Sequence, residues 1–145
     1  MYEKFGQFID GSWSPSSNKE TYEVINPATE EVLGHASKAT PEDVDRALKS
    51  AEKGLAVWKK ITPWERSYIL RRIADKLREK KDVLAKWMTL ENGKPLAEGV
   101  GETNGAADIF EWNAEETKRI FGQTIESRFE DTRVHVYYQP VGVVA

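Results

Sequence analysis

The sequence predicts an α/β protein in which a small N-terminal β element is followed by a layer of helices and a C-terminal pair of strands. Three observations carry this prediction. Short alternating runs bounded by turn residues lie at both ends, two Thr-Pro helix starts precede apolar stripes of helical period in the middle, and the last residues form a continuous apolar run. No internal repeat or low-complexity tract interrupts this order.

The N-terminal segments are predicted to form β structure. Phe8-Ile9-Asp10-Gly11-Ser12-Trp13 places an Asp-Gly turn between apolar residues, which favours a hairpin because Gly readily takes a positive φ. The run Thr21-Tyr22-Glu23-Val24-Ile25 alternates toward the turn Asn26-Pro27-Ala28-Thr29, and residues 31–36 extend again. We predict two short strands that flank this turn.

Two helices are predicted to begin at Thr-Pro pairs. Thr40-Pro41-Glu42-Asp43 supplies an N-cap hydroxyl, Pro at the first helical position and an acid three residues after the cap, and Thr62-Pro63-Trp64-Glu65 repeats the signal. The apolar residues that follow have helical spacing, which predicts one buried stripe on each helix. The stripes comprise Val44, Ala47, Leu48, Ala51, Leu55 and Trp58 on the first helix, and Ile69, Leu70, Ile73 and Leu77 on the second.

The second helix also carries a basic run, which is predicted to turn outward. The run comprises Arg71, Arg72, Lys76 and Arg78. An anion site is the alternative to a solvated face. Asp75, Glu79 and Asp82 lie among the basic residues, and such mixed charges favour the solvated face.

A third helix is predicted from Asp82 through Leu90, ending near Gly93, where Gly can adopt the left-handed cap conformation. Pro95 restarts the pattern, and a fourth helix is predicted to reach about Phe121. Its inner face is made largely of small residues: Val100, Thr103, Ala107, Phe110, Ala114 and Thr117.

Three glycines lie in the fourth helix. Gly99, Gly101 and Gly105 each cost roughly 1 kcal/mol of helix propensity relative to Ala, so we expect another backbone to approach them closely. A phosphate-binding role is the weaker alternative, because the spacing fails the dinucleotide fingerprint and no strand precedes it.

The C-terminal segments are predicted to be strands. Gly122 is expected to end the fourth helix, and residues 132–138 alternate so that Val134, Val136 and Tyr138 share one side. Residues 139–145 form a Pro-led apolar run typical of a strand covered on both faces, which belongs inside a larger sheet. The chain therefore looks interrupted within this strand.

Composition excludes several functions. The formal net charge is -3, and basic and acidic residues are interleaved, so nucleic acid is not expected as a partner. No apolar run approaches the roughly 20 residues that span a membrane, and residues 1–6 lack the apolar core of a secretory signal. We expect a cytoplasmic protein without a membrane partner.

The reactive residues are few. The chain has no cysteine, which excludes disulfides, thiolate metal sites and a cysteine nucleophile within these 145 residues. Its two histidines, His35 and His135, are widely separated, which argues against a zinc cluster. His135 is expected to be structural or solvent-exposed, because no acid pair or second histidine accompanies it. The sequence offers no complete catalytic constellation.

Five motifs in order along the chain resemble the N-terminal region of the NAD(P)-dependent aldehyde dehydrogenase superfamily. They are Phe8-Ile9-Asp10-Gly11-Ser12-Trp13, then Asn26-Pro27-Ala28-Thr29-Glu30-Glu31-Val32, then Trp58 before Arg66-Ser67-x-x-Leu70, then Glu91-Asn92-Gly93-Lys94-Pro95, and Gln139-Pro140-Val141-Gly142-Val143-Val144. The resemblance covers essentially the whole chain. Residues 89–98 and 111–120 look most like the succinate-semialdehyde group.

The resemblance implies a parent enzyme that oxidises an aldehyde, with succinate semialdehyde as the candidate, to a carboxylic acid using NAD or NADP. In the family, a cysteine thiolate attacks the aldehyde, an asparagine and a backbone amide stabilise the oxyanion, and a glutamate activates the hydrolytic water. The family's asparagine is expected past Ala145, and Glu91, Glu98, Glu102 and Glu111 do not match its base. We therefore expect no catalytic or cofactor-binding residue in this chain, and no activity from the chain alone.

The resemblance also divides the chain into three parts. Residues 1–123 correspond to the N-terminal part of the NAD(P)-binding domain, 124–138 to an oligomerisation arm strand, and 139–145 to the truncated first strand of a Rossmann-like sheet. Val134, Val136 and Tyr138 would then pair with a neighbouring subunit, which implies a homodimer or homotetramer.

A monovalent-cation site is the last role that the resemblance implies. Glu91, together with backbone oxygens of Val24 and Ile25, would hold Na+ or K+, since carboxylates and carbonyls suit a hard cation. A helix-end acid near Lys94 without an ion is the alternative.

A free-standing, non-enzymatic helical binding or scaffold module is the alternative to an enzyme. Such a module should end in a polar or capped element, whereas this sequence ends in an apolar strand.

The sequence leaves open whether the cofactor is NAD or NADP and whether the assembly is a dimer or a tetramer. It also leaves open whether the chain is a short gene product, a cleaved chain or part of a longer one.

Overall fold

The computed structural model describes residues 6–144, and expectations about residues 1–5 and Ala145 lie outside this range. Four strands open the fold: β1 (Gln7–Ile9), β2 (Ser12–Ser14), β3 (Thr21–Ile25) and β4 (Val32–Ser37). Four helices follow: α1 (Pro41–Trp58), α2 (Pro63–Glu79), α3 (Lys81–Asn92) and α4 (Leu96–Glu116), with a 3-10 turn at Thr117–Arg119. The described chain closes with β5 (Gln123–Glu126) and β6 (Arg133–Val136).

The described strands form three separate antiparallel pairs, β1 with β2, β3 with β4 and β5 with β6. In the first pair, Asp10 and Gly11 both have positive φ, 53° and 78°, as a two-residue turn of matching twist requires. Phe8 lies opposite Trp13 with ring centroids 5.2 Å apart. The predicted hairpin and the two strands around the Asn26–Thr29 turn are confirmed.

The helix starts are also confirmed. At α1, Asp43 N donates to Thr40 Oγ1 at 3.3 Å and Thr40 N donates to Asp43 Oδ2 at 3.0 Å. The same reciprocal pair forms at α2 between Thr62 and Glu65. Each reciprocal pair satisfies two backbone donors that the first turn of a helix leaves unpaired. Gly93 ends α3 in the predicted left-handed conformation, with φ 79°.

Small residues form the centre of the helical layer, where α4 packs against α2 and α3. Ala74, Ala85, Ala107 and Ala114 are each at most 1% exposed. A Cβ built on Gly99 would lie 2.9 Å from the carbonyl oxygen of Ala85, so the predicted close backbone approach is confirmed at this glycine. It is wrong for Gly101 and Gly105, because no described atom lies within 4 Å of a Cβ built there.

The stripe predicted to be buried on α1 is largely exposed in the described part of the chain. Val44 is 50% exposed and Leu48 is 40% exposed, and the contact of α1 with β1 is small. The prediction is wrong here because α4 packs against α2 and α3 instead of α1, so that the N-terminal hairpin is the main described neighbour of α1.

On α2, the face toward α4 differs from the predicted stripe. Ser67 and Ala74 are its buried residues, and Arg71 and Arg78, at the same helical spacing, pair with acids of α4. Arg78 Nη2 lies 2.8 Å from Asp108 Oδ1 and 2.6 Å from Glu111 Oε2. The two arginines stay partly exposed, as predicted, but they pair with acids of α4 because the small residues of α4 bring its acidic flank within their reach.

The C-terminal pairing also differs from the prediction. β6 pairs with β5 and ends at Val136, so Tyr138 lies beyond the strand. Gly122 follows the 3-10 turn and has no positive φ; a Cβ built on it would instead meet the carbonyl oxygen of Val136 at 2.4 Å. Residues 139–144 form no strand in this structure, since no described strand lies beside them to supply hydrogen bonds.

Candidate functional site

The carboxylate of Asp43 is the most completely bonded polar group near the N-terminus of α1. Its side chain is 1% exposed. Ser17 donates to it from the backbone N at 3.1 Å and from Oγ at 2.5 Å, and Gln7 Nε2 donates at 3.1 Å. Arg46 Nη2 adds an ion pair at 2.6 Å. One side chain therefore joins β1, the loop after β2 and α1.

These donors set the chemistry of Asp43. Hydrogen bonds from Ser17, followed by those from Thr40, hold the pKa of the carboxyl well below its usual range. A carboxylate that stays ionised and has its lone pairs occupied is a poor general base. Asp43 is therefore a structural group, of which the sequence predicts only the part in the helix cap.

The candidate cation site lies where the end of α3 meets the turn between β3 and β4. A Cβ on Gly93 would lie 3.0 Å from Cγ of Pro27, so the α3 terminus packs against the turn that follows Ile25. Glu91 is two residues before Gly93 and Ile25 is two residues before Pro27. This packing brings the two predicted segments to one region.

The predicted oligomerisation residues lie on or near β6. Val134 pairs across the hairpin with Ile125 and is 43% exposed, and Val136 is half-buried. Tyr138 follows the strand and is 67% exposed. All of β5 is exposed as well, so this hairpin projects from the helical layer with little cover among the described residues.

His135 lies on the opposite side of β6. Its Nδ1 is 3.2 Å from Thr124 Oγ1, and its ring lies 6.1 Å from that of Tyr137. No carboxylate is bonded to it within residues 6–144. These surroundings agree with the prediction of a structural or solvent-exposed histidine.

Residues 6–144 do not fit a dinucleotide or a clustered metal. Their strands form antiparallel pairs, whereas a dinucleotide site needs parallel strands and a glycine-rich turn that leads from strand to helix. Among the same residues, no group of three or more His, Asp or Glu side chains could hold a metal ion. None of the described helices is long and apolar enough to cross a membrane.

Comparison with known proteins identifies the family. The model of the "Aldehyde dehydrogenase family" matches residues 13–145. The chain belongs to the aldehyde dehydrogenase family. Its mixed helix and strand architecture matches the corresponding region of family structures, including succinate-semialdehyde dehydrogenase from Burkholderia pseudomallei, with a TM-score of 0.88 and 40% identity over 92% of this chain and 28% of that one.

Semialdehyde dehydrogenases are among the similar members of the family. Glutarate-semialdehyde dehydrogenase of Pseudomonas putida is 46% identical over 95% of this chain and 29% of its own length. Succinate-semialdehyde dehydrogenase of Escherichia coli, whose name specifies NADP(+), is 43% identical over 94% of this chain and 28% of its own length. The chain thus spans less than a third of the length of these aldehyde dehydrogenases.

Proposed function

We propose that this chain acts as the N-terminal portion of an oxidoreductase that oxidises a semialdehyde to a dicarboxylic acid with NAD(P)+. The observation that carries the proposal is its identity of 43–46% to succinate- and glutarate-semialdehyde dehydrogenases over almost its full length. Succinate semialdehyde is the first substrate to test, and NADP is the first cofactor because the E. coli relative is named for it.

The chain alone is proposed to be inactive. It contains no cysteine to attack an aldehyde, and residues 6–144 do not fit a nucleotide. What the chain supplies is a helical layer, which Asp43 holds to the N-terminal hairpin, and a projecting strand pair. Chemistry would then depend on the family segments that these 145 residues do not match.

A chimera tests this proposal. These 145 residues would replace the matched N-terminal segment of P. putida glutarate-semialdehyde dehydrogenase, and formation of reduced nicotinamide would be followed with both semialdehydes. We expect activity from the chimera and none from the 145-residue chain or from the relative without its N-terminal segment. Aldehyde-dependent reduction by a 145-residue chain of verified mass, or an inactive but folded chimera, would contradict the proposal.

We further propose that β6 pairs with a neighbouring subunit through Val134, Val136 and the following Tyr138. The hairpin is exposed on both strands, and an uncovered strand edge can add a strand from another chain. Val134→Lys should lower the subunit number of the chimera, whether dimer or tetramer, in analytical ultracentrifugation. His135→Lys, on the other side of the strand, is the matched control, and equal effects of the two changes would argue against the proposal.

The remaining proposal is a site for Na+ or K+ formed by Glu91 and the backbone oxygens of Val24 and Ile25. The packing of Gly93 on Pro27 supports it, because Gly93 follows Glu91 by two residues and Pro27 follows Ile25 by two residues. Potassium or sodium chloride should raise the Tm of the chimera relative to tetramethylammonium chloride, and Glu91→Gln should remove that difference. Glu98→Gln, in the first turn of α4, should not remove it.

A further inference from the structure

The chain contains two Asn-Gly pairs, Asn92-Gly93 and Asn104-Gly105, and the structure places them in different surroundings. Asn92 is the last residue of α3 and is exposed, and Gly93 after it is exposed and has φ 79°. Asn104 and Gly105 lie in the interior of α4 and are half-buried. The two pairs therefore have the same residues but different restraints on their backbone.

An asparagine followed by glycine is chemically reactive, because glycine has no Cβ to hinder its backbone N. This N loses its proton and attacks Cγ of the asparagine, so that an N–Cγ bond forms, the Cγ–Nδ2 bond breaks and ammonia leaves. Water then opens the five-membered imide ring at either carbonyl and gives aspartate or isoaspartate. The net change consumes one water, releases one ammonia and involves no oxidant or reductant.

A helical backbone opposes this reaction. A backbone N that donates to the carbonyl four residues earlier is not free to approach the preceding side chain. At Gly93 this restraint is the hydrogen bond from its N to the carbonyl oxygen of Thr89, 2.9 Å long, at the end of a helix of 12 residues. The side-chain amide of Asn92 forms no hydrogen bond within residues 6–144. Gly105, by contrast, has helical turns on both sides within the 21 residues of α4.

The free energy needed to open the backbone therefore differs between the two pairs. Helix ends fray at little cost, whereas the interior of a packed helix opens only at a cost that approaches that of global unfolding. The neighbour of Asn104 in sequence, Thr103, is buried, and α4 packs against both α2 and α3. Opening only the last turn of α3 is enough to release the N of Gly93.

We propose that Asn92-Gly93 is a site of non-enzymatic deamidation that becomes reactive when the last turn of α3 frays, and that α4 protects Asn104-Gly105. The inference goes beyond the proposed function and does not depend on it, because the reaction needs only this chain and water.

Deamidation changes the junction between α3 and the turn that follows β3. It adds a carboxylate beside Glu91 at the C-terminal end of α3, where the helix dipole disfavours negative charge. Isoaspartate also lengthens the backbone by one methylene next to Gly93, which packs on Pro27. The modification therefore loosens this junction as the protein ages.

Incubation of the 145-residue chain at pH 8, followed by mass spectrometry, tests the inference. Cleavage after glutamate separates the two pairs into residues 92–98 and 103–111, and each peptide is followed for replacement of an amide by an acid. In the folded chain, we expect the first peptide to deamidate at least roughly tenfold faster than the second. In urea that unfolds the chain, the two rates should agree within about threefold, because no helix then restrains either pair.

Two matched variants control this measurement. Asn92→Gln should remove deamidation from residues 92–98 and leave the rate at Asn104 unchanged, because glutamine would have to form a larger ring. Asn104→Gln should leave the rate at Asn92 unchanged. Circular dichroism would show that both variants retain the helical content of the unmodified chain. Equal rates for the two pairs in the folded chain, or a faster rate at Asn104, would overturn the inference.

Hydrogen exchange measures the fraying step directly. The amide hydrogen of Gly93 should exchange at least roughly tenfold faster than that of Gly105, because only the end of α3 has to open. An amide of Gly93 that is as well protected as that of Gly105 would overturn the role of fraying.

Thermal unfolding measures the effect on the α3 junction. Asn92→Asp introduces the charge of the product, and it should lower the Tm by about 1–4 °C relative to the neutral Asn92→Gln. A chain incubated until residues 92–98 are fully deamidated should show at least the same loss. Equal Tm values for the two variants and for the incubated chain would overturn the effect on the junction.

Discussion

At the scale of single residues, the Asp43 carboxylate links segments that are far apart in sequence. Its donors Gln7 and Ser17 precede it by 36 and 26 residues. Hydrogen bonds to a charged acceptor are stronger than those between neutral groups, and a buried donor left without its acceptor is costly. This charge is therefore the main polar link between the N-terminal hairpin and α1, to which Ser50 and Lys53 of α1 add exposed contacts with Asp10.

Asp43→Asn should lower the Tm of the chain by roughly 5–10 °C at pH 7, because the new amide cannot accept all the bonds that the carboxylate accepts. Thermal unfolding followed by circular dichroism measures the change. Asp45→Asn, at an exposed position of α1, is the control and should leave the Tm nearly unchanged. Equal Tm values for the two variants would show that the buried charge does not stabilise the fold.

The same carboxylate predicts an acid dependence of stability. Its pKa is lowered in the folded chain, so the unfolded state takes up a proton first as the pH falls through about 4, the ordinary Asp value. The contribution of Asp43 is fully present above that pH and declines below it. The difference in Tm between the unmodified chain and Asp43→Asn should therefore shrink from pH 7 to pH 3, as parallel melts at the two pH values would show.

Sequence reasoning could identify Asp43 as a capping acid, because the cap involves only neighbours three residues away. It could not identify Gln7 or Ser17 as partners, since nothing local to either residue signals a contact over such a separation. Tertiary hydrogen bonds of this kind depend on how the hairpin docks, and docking follows from packing rather than from sequence spacing.

At the scale of elements, the distance between α3 and α4 depends on small residues. Gly99 faces the backbone of Ala85, and Thr103 Oγ1 donates to the carbonyl of Gly99 at 2.9 Å. The sequence indicates that this face of α4 consists of small residues, but it does not indicate which of the glycines lie against the backbone of a neighbouring helix. It also missed the α2 face toward α4, because Arg71 and Arg78 do not fit an apolar stripe although they pair with acids of α4.

Gly99→Ala and Gly101→Ala should have opposite effects on stability. The new methyl at position 99 would crowd the Ala85 carbonyl and lower the free energy of unfolding by about 1–3 kcal/mol. At position 101 no described atom opposes the methyl, so the gain in helix propensity should raise it by about 0.5–1 kcal/mol. Urea unfolding compares the two, and a stabilising Gly99→Ala would contradict the close approach.

At the scale of the whole molecule, the stripe of large apolar residues on α1 lies at the surface, whereas the small-residue face of α4 lies in the interior. The described residues that are fully buried and hydrophobic are all alanines, whereas Val44, Leu48 and Trp64 are exposed. The sequence identifies the stripe on α1 correctly as a helical apolar face, but no residue within 6–144 buries it. Periodicity in a sequence shows which face of a helix is apolar, and it does not show whether another part of the same chain buries that face.

This exposure makes the effect of a polar substitution depend on the context of the chain. Val44→Gln/Leu48→Gln should change the free energy of unfolding of the 145-residue chain by less than about 0.5 kcal/mol, as surface substitutions do. In the chimera with P. putida glutarate-semialdehyde dehydrogenase, the same change should lower the stability by about 2–5 kcal/mol, because we expect the α1 face to be covered there. Ala85→Gln is the control. Ala85 is 0% exposed, so this substitution should destabilise both proteins. Urea unfolding of the four variants and of the unmodified chain and chimera measures these effects. A chimera that tolerates Val44→Gln/Leu48→Gln would show that the α1 face stays open to solvent in the longer protein.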